Sequence, residues 1–312
     1  LNTTNPISGT QDGRLQVTSV GTIPLRPILY FGSLLQGKVY KISFDYKVNS
    51  GICILGAIYS GNSTIIINKT LSGQGNYTYY LKINATFPSY MYFDGTKLFD
   101  LQIDNISFKE CGWADSQAVY DYYISIGQSV LEATKAAAML CKYNNSDDNA
   151  AVYGYLLNKY AVSLIGLNAP KGWRAVTYAD ALQLANNLSL SVSGKKLKLS
   201  GTNYWTTPNS GTNESGFSAL GSGKRNADGT FSALGTEYNF RTLDGYLCTI
   251  TNSGDGITFT ASADSRIGGS LRLIRNAPVG ELFEEVPSGV FSNNIATAQR
   301  ELSVKFGYTI EA

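Results

Sequence analysis

Between Lys38 and Val48 the side chains alternate without a break: Tyr40, Ile42, Phe44, Tyr46 and Val48 are apolar or aromatic, and Lys41, Ser43, Asp45 and Lys47 stand between them. Successive strand residues point to opposite faces of a sheet, so this pattern fits a half-buried antiparallel strand and no helix. The apolar runs ICILGAI, STIIIN, YTYYLKI and MYF follow, divided by Gly, Asn and Pro turns, which is the cadence of a β-sandwich. In LFDLQIDNISF the phase changes at Asp104-Asn105: Leu101 and Ile103 share a face, and Ile106 and Phe108 return to it only by skipping a residue. A bulge is expected there.

A different period takes over after Asp115 and Ser116, which can cap a helix. Val119, Tyr123, Ile126, Val130, Ala133, Ala137 and Leu140 follow a four-three spacing, the pattern of a coiled-coil seam. One helix from about Ser116 to Lys142 is expected. It either joins protomers, as in a trimer, or lies as an amphipathic helix on its own domains.

Beyond it, periodicity gives way to recurring glycines, tryptophans and polar turns: YGYLLNKYAV, APKGWRAVT, KKLKLSGTNYWTTPNSGTNESGFSALGSGKRNADGTF and, near Arg266, RIGGSLRLIRN. This run resembles the Fibrobacter succinogenes major paralogous domain, a module of Bacteroidota surface proteins and their phages related to the C-type lectin-like fold. The resemblance implies an α+β domain over about residues 144–277. Within it Tyr153 to Val162 is expected as a first strand and loop. Thr177 and Asp180 form a capping box for TYADALQLANNL, with Leu182, Ala185 and Leu188 facing inward. Trp173 and Trp205 read as framework anchors, and Gly216, Gly223 and Gly229 as positions needing unusual backbone angles.

The YKISFDYKV and DNISF strands resemble jelly-roll carbohydrate-binding modules. The expected organisation is therefore a β-sandwich over 1–112, a connecting helix over 113–143, the lectin-like domain over 144–277 and a tail over 278–312. In the tail, Ile295 to Phe306 reads as a final helix, and Glu281, Glu284 and Glu285 as solvated surface.

The chain has no histidine. That removes Ser-His-Asp and Cys-His nucleophile activation, zinc-protease motifs and imidazole metal sites together. No catalytic residue is assigned and no enzyme is expected. Cys53, Cys111, Cys141 and Cys248 make no CxxC pattern, and Cys53 and Cys248 sit in apolar runs as small buried hydrophobes. Charged residues are only 15% of the chain, with 25 Lys+Arg against 23 Asp+Glu, so no cationic footprint for nucleic acid appears. The 21 tyrosines, with Asn, Thr, Ser and Gly, suit sugar or protein contact. No stretch reaches the ~18 apolar residues of a membrane span. The opening LNTTNPISGTQDG lacks a basic n-region and starts with Leu, which reads as a processed product or a fragment.

In jelly-roll modules a carboxylate near the termini can hold a structural Ca²⁺, which makes Asp104 a candidate ligand; a turn-capping Asp is the other reading. Tyr77, Tyr79, Tyr80, Tyr90 and Tyr92 offer a stacking platform. Thr207-Pro208-Asn209 keeps the Pro and Asn of the lectin calcium motif and lacks its preceding carboxylate. Candidate ligand contacts are Glu237, Tyr238, Arg241 and Asp244 of TEYNFRTLD with Tyr204 in a neighbouring loop; alternatively these residues brace the loops. The functional expectation is a virion-surface adhesin of a Bacteroidota phage that binds a host glycan or protein. The partners would be other virion proteins and its own copies, without nucleic-acid binding or membrane insertion. A bacterial surface or secreted adhesin and a purely structural virion component are the alternatives.

Overall fold

The computed structural model describes residues 10–11, 14–18, 28–35, 37–60, 63–83, 87–94, 100–167, 169, 173–261, 263–275 and 309–310, the side chains of 10–34, 56–68, 87–94, 167, 275 and 309–310 excepted. The expected helix Ile295 to Phe306, the Glu281, Glu284 and Glu285 cluster, and the side chains of Tyr90 and Tyr92 lie outside the described residues. The chain divides into two compact units, Leu1–Cys111 and Gly112–Ala312.

The first unit is built from β1 (Thr10–Gln11), β2 (Arg14–Thr18), β3 (Ile28–Leu34), β4 (Val39–Ser50), β5 (Cys53–Ser60), β6 (Ser63–Leu71), β7 (Gln74–Lys82), β8 (Phe87–Asp94) and β9 (Asp100–Glu110). They form one sheet in the order β1-β2-β9-β4-β7 and another in the order β3-β8-β5-β6, with antiparallel pairing throughout. Alternation on β4 puts Tyr40, Ile42 and Phe44 in the core with Leu101 and Ile103 of β9 and Leu81 of β7. Cys53, Leu55 and Leu71 of the other sheet complete the cluster.

The bulge lies where the change of phase requires it. Ser43 pairs Ser107 and Asp45 pairs Asp104, so Phe44 faces two residues, and Asn105 takes a positive φ of 50°. Phe108 regains the core face, whereas Ile106 stays exposed at the bulge itself.

The second unit opens with α1 (Ser116–Ser125), α2 (Val130–Ala137), β10 (Met139–Lys142), α3 (Asp147–Tyr153), β11 (Tyr155–Leu157) and α4 (Lys159–Leu167). The expected single helix from Ser116 to Lys142 is not formed. Gly127, at φ 79°, ends α1: its N–H donates to the Ile124 carbonyl and the Gln128 N–H to the Tyr123 carbonyl, a C-terminal cap that needs a left-handed residue. Ser129 then caps α2 by accepting from the Glu132 N–H at 3.2 Å. The seam residues scatter accordingly. Val119, Ala133 and Ala137 are buried, Leu140 is buried in a strand, and Ile126 and Val130 are 46% and 64% exposed. Substituting Ile126→Asp and Val130→Asp together should therefore shift the urea midpoint by no more than about 0.5 kcal/mol of stability, as expected for exposed sites. A loss several times larger would mean these side chains are covered. Tyr153 to Val162 likewise departs from the expected strand and loop, since α3 ends at Tyr153 and α4 begins two residues after a three-residue strand.

The remaining elements are β12 (Trp173–Ala175), α5 (Tyr178–Asn187), α6 (Ser193–Leu197), β13 (Ser222–Arg225), β14 (Phe231–Leu234), β15 (Glu237–Arg241), β16 (Leu247–Thr251), β17 (Thr258–Thr260), β18 (Ser270–Leu271), β19 (Leu273–Arg275) and β20 (Thr309–Ile310). The sheet β14-β13-β15-β16-β17 carries β18 alongside β15, while β12 pairs β19 and β10 sits between β11 and β20. Tyr238, Phe240, Cys248 and Ile250 of this sheet pack against Ala181, Leu197, Trp205 and Ala219, with Leu184 of α5 and Leu188, which follows it, at the margin. The inner face of α5 thus uses Ala181 and Leu184 beside the expected Ala185 and Leu188, and Leu182 is half-buried outside that cluster. Trp205 anchors the framework by donating from Nε1 to the Ala219 carbonyl at 2.9 Å. Gly216, Gly223 and Gly229 all have positive φ, and a Cβ on Gly223 would meet the Ser232 carbonyl at 2.6 Å. The four cysteines are buried and none forms a disulfide; burial pushes the Cys248 thiol up to about 12.

Candidate functional site

The capping box that starts α5 also builds one wall of a groove. Thr177 accepts from the Asp180 N–H and donates its hydroxyl to Asp180 Oδ2 at 2.6 Å, and the Thr177 N–H reaches the same carboxylate. Arg174 closes the set with two bonds to Asp180, the Nη2 to Oδ1 contact at 2.7 Å. The Arg174 guanidinium, opposed by partial burial and helped by Thr177, holds the Asp180 carboxyl well below its ordinary 3.8. A carboxyl depressed in the folded state stabilises the fold above its unfolded value, and that contribution is lost as pH falls through 3.8 towards the folded value. Asp180→Asn should then cost about 1 kcal/mol at pH 7, the size of a weakened cap, because Arg174 is open to solvent and the pair is screened. In melts followed from pH 7 to pH 2, the gap to the parent should shrink below pH 3.8; a gap that is constant throughout would refute the charge's role.

With the start of α5 fixed, Gln183, Leu184 and Asn187 line a groove of about 540 Å³ against Phe217, Arg272 and Ile274. Leu184, Phe217 and Ile274 supply apolar surface; Gln183 and Asn187 stand exposed on the helix above it. Arg272 is held from below. Its Nε donates to the Tyr238 hydroxyl at 2.7 Å, and its guanidinium carbon lies 4.4 Å from the Phe217 ring centroid and 5.5 Å from that of Tyr238. Tyr238 is buried, which raises its hydroxyl above the ordinary tyrosine value against the opposing pull of Arg272, so it stays a neutral acceptor.

The five residues expected to line a binding loop do not come together. TEYNFRTLD is the strand β15 followed by a turn, and alternation sends Tyr238 and Arg241 to opposite faces. Both are buried, at 3% and 0% exposure, so neither is presented as a loop side chain. Arg241 donates to the carbonyls of Ile267, at 2.6 Å, and Asp264. Glu237 accepts from Lys224 at 2.8 Å and from Asn239 at 3.0 Å; burial pushes its carboxyl up, and these bonds outweigh it and leave it lowered. Asp244 accepts from the Tyr178 N–H at 2.9 Å at the start of α5. Tyr204 meets Tyr153 edge to face at 6.3 Å. Of the five, only Tyr238 touches the groove, through Arg272. In the Thr207-Pro208-Asn209 turn, Thr207 and Pro208 are exposed and Asn209 is half-buried, its carboxamide spent on the backbone of neighbouring loops. Asn209 donates to the Leu199 and Gly201 carbonyls and accepts from the Gly211 N–H.

In the first unit, Asp104 accepts from the Asn105 N–H at 2.8 Å and pairs in register with Asp45. Asp45 collects the carboxamide of Asn105 at 2.6 Å and that of Asn76. These two bonds, Asn105 first, hold the Asp45 carboxyl below its ordinary value. Among the described residues no group of three or more Cys, Asp or Glu is placed to hold a metal. Tyr77 and Tyr79 are half-buried, stacked 6.5 Å apart at the margin of the sandwich core, with both hydroxyls pushed up by burial. Tyr80 lies on the other face of β7 and is buried beside Lys41.

Residues 113–266 match the model of the Fibrobacter succinogenes major domain. The groove lies within and just beyond this segment. No curated protein sequence matches the chain. Among solved structures, the β-sheet N-terminal region resembles carbohydrate-binding modules. The N-terminal cellulose-binding domain of Cellulomonas fimi β-1,4-glucanase C is 13% identical, with 35% of this chain and 86% of that one covered and a TM-score of 0.29. The CBM22-1 xylan-binding domain from Paenibacillus barcinonensis is 14% identical over 32% of this chain and 83% of its own, with a TM-score of 0.22. Tailspike protein 4 of bacteriophage CBA120 is 6% identical, over 32% and 20%, with a TM-score of 0.21.

Proposed function

We propose that the chain is a non-catalytic binding protein, an adhesin on the surface of a Bacteroidota phage virion, whose C-terminal unit is a lectin-like scaffold for a host surface glycan. The observation that carries the binding reading is the groove. It combines an apolar floor with two amide side chains and an arginine pinned by Phe217 and Tyr238, the few fixed polar groups on an apolar surface that mark small-ligand sites. Sugars present both kinds of surface, C–H faces for the floor and hydroxyls for Gln183 and Asn187. The absence of histidine supports binding without turnover. The virion assignment extends the family resemblance of the C-terminal unit.

Adsorption of the labelled full chain to a panel of Bacteroidota strains, with release of reducing sugar followed in parallel, tests the reading. Saturable binding to a subset of strains without sugar release is expected. Binding to no strain, or turnover of a cell-surface polysaccharide, would reject it.

A further inference from the structure

Among the described residues, Arg272 is the one cation lining the groove, and no acid stands against its charge. Asp180, the acid on the rim, is spent on Arg174 and Thr177, and among the described residues Arg272 makes no ion pair. Its Nε is used by Tyr238, while its terminal Nη1 and Nη2 donate to no described residue. Those two nitrogens form the planar end-on fork that matches a carboxylate with two parallel bonds. The Nε bond to the Tyr238 hydroxyl and the 4.4 Å approach to the Phe217 ring restrain the guanidinium, so less side-chain freedom remains to be lost when an acid binds.

On the glycan-binding reading above, we infer that the groove selects an acidic saccharide, a uronic or nonulosonic acid unit whose carboxylate lies on the Arg272 fork. The ring's C–H face rests on Phe217 and Leu184, and its hydroxyls reach Gln183 and Asn187. Charge complementarity favours the acid over a neutral sugar, which would leave the guanidinium capped by water alone. The amides, which both donate and accept, favour a polyhydroxylated ring over an acidic peptide.

The test is an array of paired glycans terminating in glucuronate, galacturonate or neuraminate, each beside its carboxyl-reduced counterpart, together with peptides ending in Asp or Glu. The full chain should bind at least one acidic member about tenfold more tightly than its reduced partner, the scale of one charge-assisted bidentate contact. Arg272→Gln should remove that preference, Arg272→Lys should restore part of it, and Asn187→Ala should weaken binding with the fold untouched. Matching melting curves for the variants separate lost recognition from lost structure. Equal binding within pairs, unaltered by Arg272→Gln, would overturn the acidic selection and leave glycan binding standing. Preference for the peptides, or no binding to any array member, would overturn both.

Discussion

Replacing Lys198 by Met should cost about 3–5 kcal/mol, the penalty of leaving several buried acceptors without a donor. Lys198 follows α6 and is fully buried. Its ammonium donates to the carbonyls of Thr251 at 3.0 Å, Asn252 at 2.7 Å and Gly254 at 2.8 Å, and to the Ser210 hydroxyl at 3.1 Å, which in turn donates to Asp255. The lysine gathers the 251–254 turn and the Ser210 loop around one charge. Burial holds the ammonium below its ordinary value, against the pull of Asp255, so the charge is costly to place and the acceptors must compensate. Met keeps the length of the side chain and removes every donor. Thermal unfolding should fall by about 10 °C for a unit of this size. A variant within about 1 kcal/mol of the parent would mean that water satisfies the same carbonyls.

Arg241→Met should have the second largest effect, about 2 kcal/mol, and the comparison with Lys198 shows why it is smaller. Arg241 satisfies two carbonyls, Ile267 and Asp264, and its Nη1 has no partner although it is buried. Burial lowers the guanidinium to about 10, against the opposing charge of Asp264. Removing this desolvated group therefore returns part of the lost bonding. The damage should be local. The 264–268 segment also accepts from Trp113 at the Arg266 carbonyl and from the Lys159 N–H at the Ser265 carbonyl, so amide exchange should accelerate there first. A variant as stable as the parent, with unchanged exchange at Ile267 and Gly268, would show that the arginine holds nothing in place.

The parts of the fold that one strand or one helix terminus decides were legible in the residues. The Lys38 to Val48 alternation, the change of phase at Asn105 and the Thr177 to Asp180 box each carry their cause within a few positions. The Ser116 to Lys142 segment misled because its four-three spacing is real while two local signals break it. Gly127 at a helix end and Ser129 three residues before Glu132 are stop and start marks, and they outweigh a seam of three heptads. TEYNFRTLD looked like a loop because Asn239 and Arg241 are polar at inward positions. Their partners, the side chain of Thr249 and the carbonyl of Ile267, come from other segments and leave no trace in the local pattern. The groove was hidden for the same reason, since Asn187, Phe217 and Arg272 are far apart in the chain and meet only after the sheet has formed.

The proposed role of this polypeptide is to recognise a glycan at the Arg272 groove and leave it unchanged. The most direct measurement is a nuclear magnetic resonance titration of the full chain with the tightest array glycan, observing the side-chain amides of Gln183 and Asn187 and the guanidinium of Arg272. These signals are expected to shift together and saturate while the sugar resonances show no new species. Saturation with the three signals unmoved, or the growth of a product, would contradict the account.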